Sequence, residues 1–344
     1  MRADDHHNQM RNSNRQWTIA ARPVGRDVVE SDFALVETPI RPPAPGEVVV
    51  RIDLLGFDPS QKGQMENIGG YAAPTAVGDV MHGSGIGTVI DPGDSGLAMG
   101  ATVIGRLGWQ DFATLPATQL RTLDNDGQLS AHLGVLGTTG LTAFCGLHHV
   151  GRPFPGDTMV ITGAAGAVGS VVGQIGKIGG CRVIGIAGGA DKCRMLTDEL
   201  GFDAAIDYKA GPMADALRDL VPDGIDVVWD NVGGTMLDTL LGRLALKARV
   251  VICGGISRSK TGGMPVGPSN YFNLVFRRAT MEGFILTDYE ADYAHARQRL
   301  KGWLADGRLQ AREDIQVGLE NAPRTLMRLF EGANVGKQLL RVGD

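Results

Sequence analysis

Long apolar runs are missing from this chain: nowhere in its 344 residues does an uninterrupted hydrophobic stretch approach the roughly 18 residues that a membrane-spanning helix requires. That excludes an integral helical membrane protein. Cysteine is scarce. The four residues at 145, 181, 193 and 253 form no Cys-x-x-Cys pair, which argues against a disulfide framework and for a reducing, cytoplasmic compartment. There is no basic excess either: 33 Lys and Arg stand against 38 Asp and Glu, a net charge of −5, so a nucleic-acid-binding surface is not expected. The first 15 residues carry no apolar core of a secretion signal and read as a loose polar tail. The length allows two domains with ample core.

What the chain has in abundance is glycine, 50 of 344 residues, about twice the usual share. The densest cluster is Thr158-Met-Val-Ile-Thr-Gly163-Ala-Ala-Gly166-Ala-Val-Gly169-Ser170. Met159 to Thr162 reads as a buried strand, and a glycine turn follows it at once. Val168, Val171, Val172, Ile175 and Ile178 then fall at helical spacing. Strand, turn and helix in that order place backbone N–H groups and a helix N-terminus where a pyrophosphate can sit. A second strand, Arg182 to Ala187, completes a βαβ unit, so a dinucleotide-binding site is expected.

The end of that second strand bears on which dinucleotide. An NAD site usually offers a carboxylate about 20 residues past the first glycine, to hold the ribose hydroxyls. Here Ala187, Gly188 and Gly189 stand there instead, followed by Asp191, Lys192 and Arg194. Small residues leave room for a 2′-phosphate, and Lys192 or Arg194 can neutralise it, which favours NADP(H). Asp191 could still serve a hydroxyl, and Asp191 with Lys192 could simply open the next helix.

Around this unit the pattern changes along the chain. Residues 46–55, 86–90, 101–104 and 110–115 read as short strands broken by Pro- and Gly-rich turns. Leu141 to His149 looks helical. From Thr158 onward strands (158–162, 182–187, 204–208, 226–230, 249–253, 281–286) alternate with helices (191–200, 213–221, 235–246, 270–278). A long helix over about 290–305 and a terminal strand over 338–342 follow. The expected fold is α/β: a doubly wound parallel Rossmann sheet beside a β-rich domain.

Several motifs point further: Asn14-Arg-Gln-Trp17, Ala20-Ala-Arg-Pro23, Asp58-Pro59, Leu133-Gly-Val-Leu-Gly137, Ala164-Ala-Gly-Ala-Val-Gly-Ser170, Asp230-Asn-Val-Gly-Gly234, Cys253-Gly-Gly-Ile-Ser257, Met281-Glu-Gly-Phe284 and Gly332-Ala-Asn-Val-Gly-Lys337. From residue 14 to 344 the chain resembles the zinc-independent medium-chain dehydrogenase/reductases, and among them the double-bond reductases related to leukotriene B4 dehydrogenase, prostaglandin reductase and curcumin reductase. The resemblance implies a tail (1–15), a GroES-like substrate domain (16–131, completed by 301–344) and an NADP-binding Rossmann domain (132–300). It further implies an NADPH-dependent reduction of the C=C bond of α,β-unsaturated aldehydes or ketones, and a homodimer. Quinone reduction, or cofactor binding with little catalysis, would use the same cofactor motifs.

By the same resemblance Gly166, Ala167, Val168 and Gly169 hold the pyrophosphate, and Gly188, Lys192 and Tyr208 surround the 2′-phosphate. Thr138, Asn231, Cys253, Gly254, Ile256, Ser257, Phe284, Leu286 and Asn334 line the rest of the cofactor. Cys253 is expected to contribute backbone rather than thiol chemistry. The family's substrate motif Asp-Pro-Tyr-Met-Arg-Gly-Arg-Met reads Asp58-Pro-Ser-Gln-Lys-Gly-Gln-Met65 here, and Met-Arg-Gly-Gly reads Met81-His82-Gly83-Ser84. Gly-Met-Pro-Gly is Gly137-Thr138-Thr139-Gly140, and a Tyr of some relatives is Phe276. Tyr71 keeps a family cleft position and is the leading candidate for enolate donor or proton source; Ser60 and Tyr271 are weaker ones.

No metal is expected. Zinc relatives carry a Cys after the first core strand and a Gly-His-Glu triplet before the next; this chain has Gly56-Phe57-Asp58-Pro59 and a His82 one position early with no Glu after it. His148 and His149 are adjacent on a helix, on different faces, which is poor ligand spacing.

Overall fold

The computed structural model describes residues 13–66, 75–124, 127–260 and 267–343. The chain opens with an antiparallel ribbon of β1 (Ser13–Ile19) and β2 (Phe33–Pro39). It then builds β3 (Glu47–Gly56), α1 (Ser60–Glu66), β4 (Ser84–Asp91), β5 (Thr102–Arg106), β6 (Phe112–Pro116) and β7 (Arg121–Thr122). Next come α2 (Thr138–Gly146), β8 (Thr158–Thr162), α3 (Ala167–Ile178), β9 (Arg182–Ala187), α4 (Ala190–Arg194), β10 (Ala204–Asp207), α5 (Met213–Leu220), β11 (Ile225–Asp230), α6 (Gly234–Leu241), β12 (Leu244–Ile252), α7 (Asn273–Arg277) and β13 (Thr280–Gly283). The chain closes with α8 (Tyr293–Ala305), β14 (Glu313–Val317), α9 (Ala322–Glu331) and β15 (Lys337–Arg341).

Two large sheets result. The first is parallel throughout, in the order β10-β9-β8-β11-β12-β13, the doubly wound order whose direction reverses between β8 and β11. Its central strands are apolar on both faces because helices cover both. Along β8, Met159 and Ile161 face α2, α3 and α8, packing with Trp229, Leu300 and Trp303. Val160 faces the other way, onto Leu217 of α5 and Leu237, Leu240 and Leu241 of α6. Each such fully buried side chain contributes about 1.5–3 kcal/mol relative to exposure.

The second sheet runs β14-β15-β3-β4-β5-β7, with β6 paired to the first half of β3, Glu47 to Arg51. It closes around Val48, Val50, Ile52 and Leu55, with the fully buried Trp109 stacked on Phe33 at 5.2 Å. β14, β15 and α9 return from the C-terminal end of the chain to complete this sheet and its core, where Leu326 and Leu329 of α9 pack. Among the described residues no helix is long and apolar enough to cross a membrane.

Some elements differ from expectation. The helix expected over 235–246 ends at Leu241, and the strand expected from 249 begins at Leu244. Leu-Ala-Leu-Lys-Ala reads as helix, yet pairing with β11 overrides that propensity, through a register shift and a Lys247 at φ 62°. The helices expected over 141–149 and 191–200 each end in a widened turn, Leu147–Gly151 and Met195–Glu199. There the rings of His148 and His149, expected on different faces, meet edge to face at 4.8 Å. β14 and α9 were not anticipated.

Candidate functional site

The carboxyl ends of β8 and β11 meet at the reversal point of the parallel sheet, where open α/β sheets take their ligands. β8 runs into Gly163 (φ 58°), and Gly166 occupies the N-cap of α3 with no side chain bonding the helix N-terminus. The first-turn N–H groups of Ala167, Val168 and Gly169 therefore point out of the helix with no partner inside it. Gly169 has no room for a side chain: a Cβ there would lie 2.5 Å from the Gly163 oxygen and 2.8 Å from Ala164 Cα. Bare backbone, a close turn and a helix N-terminus make a cradle that fits a pyrophosphate.

One end of the cradle is small and cationic. Gly189 (φ 101°) donates its N–H to Asp207 Oδ1 at 2.8 Å, and Lys209 N–H donates to the same oxygen at 3.0 Å. Those two backbone bonds hold the Asp207 carboxyl below its usual range. A Cβ on Gly188 would sit 2.8 Å from the Tyr208 hydroxyl, so the space beside that ring exists only because residue 188 is glycine. Lys192 donates to the carbonyls of Gly332 and Asn334 at 2.8 and 2.6 Å. Burial, and then the charge of Lys209, hold its pKa below the ordinary 10.5. Arg194, the other cation considered for a 2′-phosphate, is exposed and paired with Asp191.

The other end is built by Asp230, which is wholly buried. Its carboxylate accepts Thr162 Oγ1 at 2.7 Å and the N–H groups of Val232 and Gly233 at 3.1 and 2.9 Å. Its backbone carbonyl accepts the N–H groups of Cys253 and Gly254. Burial pushes the carboxyl pKa up, and the three hydrogen bonds oppose that shift. Asn231, next in line, donates from Nδ2 to Thr162 O at 2.6 Å and accepts Trp229 Nε1 at 3.1 Å. Ser257 donates to Val232 O at 2.6 Å, and the Ile256 and Ser257 N–H groups bond the carbonyls of Asn231 and Val232. Residues 230–234 and 253–257 thus form one fastened rim above the sheet. Burial pushes the Cys253 thiol up to about 12, so it stays protonated at neutral pH. Phe284 turns its ring inward over Gly146, edge-on to Trp229 at 5.8 Å; only its backbone remains for the rim.

A joint links this cradle to the second sheet. Gly336 donates its N–H to Ala165 O at 2.8 Å and bridges Gly166. Asn334, one turn earlier, bonds Gly336 O through Nδ2. The next residue, Lys337, is buried and donates to Phe57 O at 3.1 Å and Asp58 Oδ1 at 2.5 Å. It opens onto a cleft of about 450 Å³ between the two sheets, lined among others by Asp58, Ser84, Thr138, Leu141, Leu286 and Tyr293.

The structure thus brings most of the expected residues into three groups: the 166–169 cradle, the 188/192/208 end joined by Asn334, and the 231/253–257 rim, with Thr138 and Leu286 in the cleft. Ser60 is exposed at the first position of α1, two residues from the cleft-lining Asp58. Tyr271 lies outside the cleft lining and is 58% exposed beside Phe276 at 65%. Tyr71 lies outside the described residues. His82 accepts or donates at Nδ1 with Thr75 Oγ1 at 2.7 Å, and burial takes its pKa down to about 4. No three His, Cys, Asp or Glu side chains among the described residues gather as a metal would need. Sequence reasoning left Asp230, Thr162 and Lys337 without a role. Asp230 and Lys337 stood inside quoted motifs, and the polar ends of otherwise apolar strands were the available signal.

Two family models match the chain: one described as the N-terminal domain of oxidoreductase over residues 15–123, the other as zinc-binding dehydrogenase over residues 167–302. The NADPH-dependent curcumin reductase of Escherichia coli is 38% identical over 343 residues, covering 98% of this chain and 99% of that protein. An NADP-dependent 2-alkenal reductase of Nicotiana tabacum is 37% identical, covering 91% of this chain and 93% of that one. A crystal structure of CurA from Vibrio vulnificus in complex with NADPH superposes with a TM-score of 0.90 at 39% identity, over 96% of this chain and 99% of that one.

Proposed function

The chain belongs to the zinc-independent medium-chain dehydrogenase/reductases as an NADP(H)-dependent oxidoreductase, and from that membership we propose that it reduces the C=C bond of α,β-unsaturated aldehydes or ketones. Supporting the cofactor is the cradle itself, whose backbone would clash with a side chain at Gly169. The observation that carries the reading is the joint at Gly336 and Lys337, which seats the cradle beside a cleft sized for a small molecule.

Bound NADPH supplies a hydride. The residues of the chain orient and bind around that chemistry. The 166–169 amides would receive the pyrophosphate, and Lys192, tied to the 332–334 turn, would meet the 2′-phosphate. The Asp230 network holds the 253–257 rim fixed, and Thr138 and Leu286 bound the cleft. When the β-carbon of an enal or enone gains hydride, negative charge moves to the carbonyl oxygen, which needs a hydrogen-bond donor. Tyr71 is proposed for that donor or for protonation of the α-carbon, with Ser60 as the second candidate.

The chain is further proposed to work as a cytoplasmic homodimer. The thiols of all four cysteines are free. β13 is the terminal strand of the parallel sheet with all four residues exposed, and Tyr271, Phe272, Val275 and Phe276 stand exposed beside it. An open edge next to an apolar patch supports pairing of two copies there.

Loss of reduced-nicotinamide absorbance against a panel of enals, enones and quinones tests the activity, with NADH as control. Turnover of enals or enones with NADPH preferred is the expected result; turnover of quinones alone would overturn the reading.

A further inference from the structure

Three arginines line one cleft in which the single carboxylate among the described residues is already engaged. Arg106 at the end of β5, Arg121 on β7 and Arg297 on α8 all line the space that Thr138 and Leu286 border. Asp58 is the single carboxylate among the described lining residues, and Lys337 occupies it at 2.5 Å. Arg297 is positioned rather than loose: its Nε donates to Leu136 O at 3.3 Å, and its guanidinium stands 5.5 Å from the Tyr293 ring centroid. Arg121 is exposed at the rim, and partial desolvation of its head group followed by the charge of Arg297 lowers its pKa. That repulsion disfavours the empty arrangement, in a chain whose net charge is −5 and so has no general excess of cations.

The cations come from both sheets' neighbourhoods, so they meet only where the cleft closes between them. The cofactor's own anions have other partners in the proposed reading, at the α3 N-terminus and at Lys192. Guanidinium groups match planar or tetrahedral oxyanions through paired N–H donors. Resting on the double-bond-reductase reading, we propose that Arg106, Arg121 and Arg297 form an anion subsite that selects unsaturated carbonyl substrates carrying a carboxylate or phosphate away from the double bond. The neutral enals and enones would then be poorer substrates than their anionic counterparts.

The test measures binding separately from turnover. A saturated ketone is made as its terminal carboxylic acid, its phosphate monoester and its methyl ester, and each is titrated calorimetrically into NADP⁺-loaded protein. The acid or the phosphate should bind about tenfold or more tightly than the ester, as expected for a charge-assisted pair in a partly enclosed cleft; which of the two binds better identifies the anion. In Arg121→Gln/Arg297→Gln the preference should shrink to about twofold or less, while Arg121→Lys/Arg297→Lys keeps most of it because the charge remains. Equal binding of acid, phosphate and ester, binding of none, or a preference that survives the glutamine pair would overturn the proposal. If the anions are preferred but neither anionic nor neutral enones are reduced, the reductase reading fails and the anion subsite stands.

Discussion

Replacing Lys192 with Gln should separate the two cofactors. In the structure its ammonium spends two hydrogen bonds on the carbonyls of Gly332 and Asn334, at 2.8 and 2.6 Å, and a third donor is left for a ligand. A hydrogen bond from an ammonium to a phosphate contributes about 1.5–3 kcal/mol, so its loss should weaken NADPH by roughly tenfold to a hundredfold in Kd. NADH, which offers no phosphate there, should change by about twofold or less. The assay is fluorescence titration of each reduced cofactor. The pH dependence adds a second signature. Lys192 must be protonated to attract the phosphate, and burial with Lys209 holds its pKa below 10.5. NADPH affinity should therefore fall as pH rises through that lowered value, NADH affinity should stay flat, and Lys192→Arg should carry NADPH affinity to higher pH. If Lys192→Gln weakens both cofactors alike, Lys192 serves only to clasp the 332–334 turn, and the reasoning about the phosphate is wrong.

Gly169→Ala should be more damaging than its size suggests, because the atoms 2.5 and 2.8 Å from the new Cβ are backbone and cannot rotate away; a loss of about 1–3 kcal/mol in stability, read by thermal melting, should accompany weakened binding of both cofactors. Asp230→Asn places an amide N–H₂ against N–H donors that now meet a carboxylate, and should destabilise by about 1–3 kcal/mol. Because burial raises the Asp230 pKa above 3.8, its contribution to stability is greatest below that value and declines as pH rises through the raised one; that slope in denaturant midpoints should vanish in the variant. Phe276→Glu, on the exposed face beside β13, should convert a dimer into monomer in light scattering, with the monomer's fold unchanged by circular dichroism.

The parts of the fold that local chemistry dictates were legible from the residues. β8, the glycine turn and α3 could be read because an apolar run, a turn and a helical stripe follow one another within twenty-one residues, 158–178. The alternation from β9 to β13 was legible for the same reason. β14 is not legible locally because polar and apolar residues alternate only over Asp314 to Val317, and the segment becomes a strand by pairing with β15. β12 begins earlier than its local pattern predicts because its first residues favour helix and are claimed by β11 through a pairing no local pattern announces.

The same division runs through the site. Gly166 to Gly169, Gly188 and Lys192, proposed for the cofactor, lie within or just after one βαβ unit, where spacing together with the family resemblance singles them out. Lys337 and Asp58 stand 279 positions apart and form an ion pair whose lysine is buried, and Arg106, Arg121 and Arg297 converge from β5, β7 and α8. Nothing in the neighbourhood of any one of them distinguishes it from a solvated surface arginine. Their meaning comes from the return of β15 to the second sheet, beside β3, which brings Lys337 onto Asp58 and leaves the arginines facing one space. In this fold the glycine turn and α3 are written in contiguous sequence, while the charge of the cleft is created by closure of the chain on itself. It follows that relatives sharing the glycine turn can differ in substrate without any change near it, and that exchanging Arg121 and Arg297 for neutral residues should alter substrate choice while leaving NADPH affinity within about twofold of the parent.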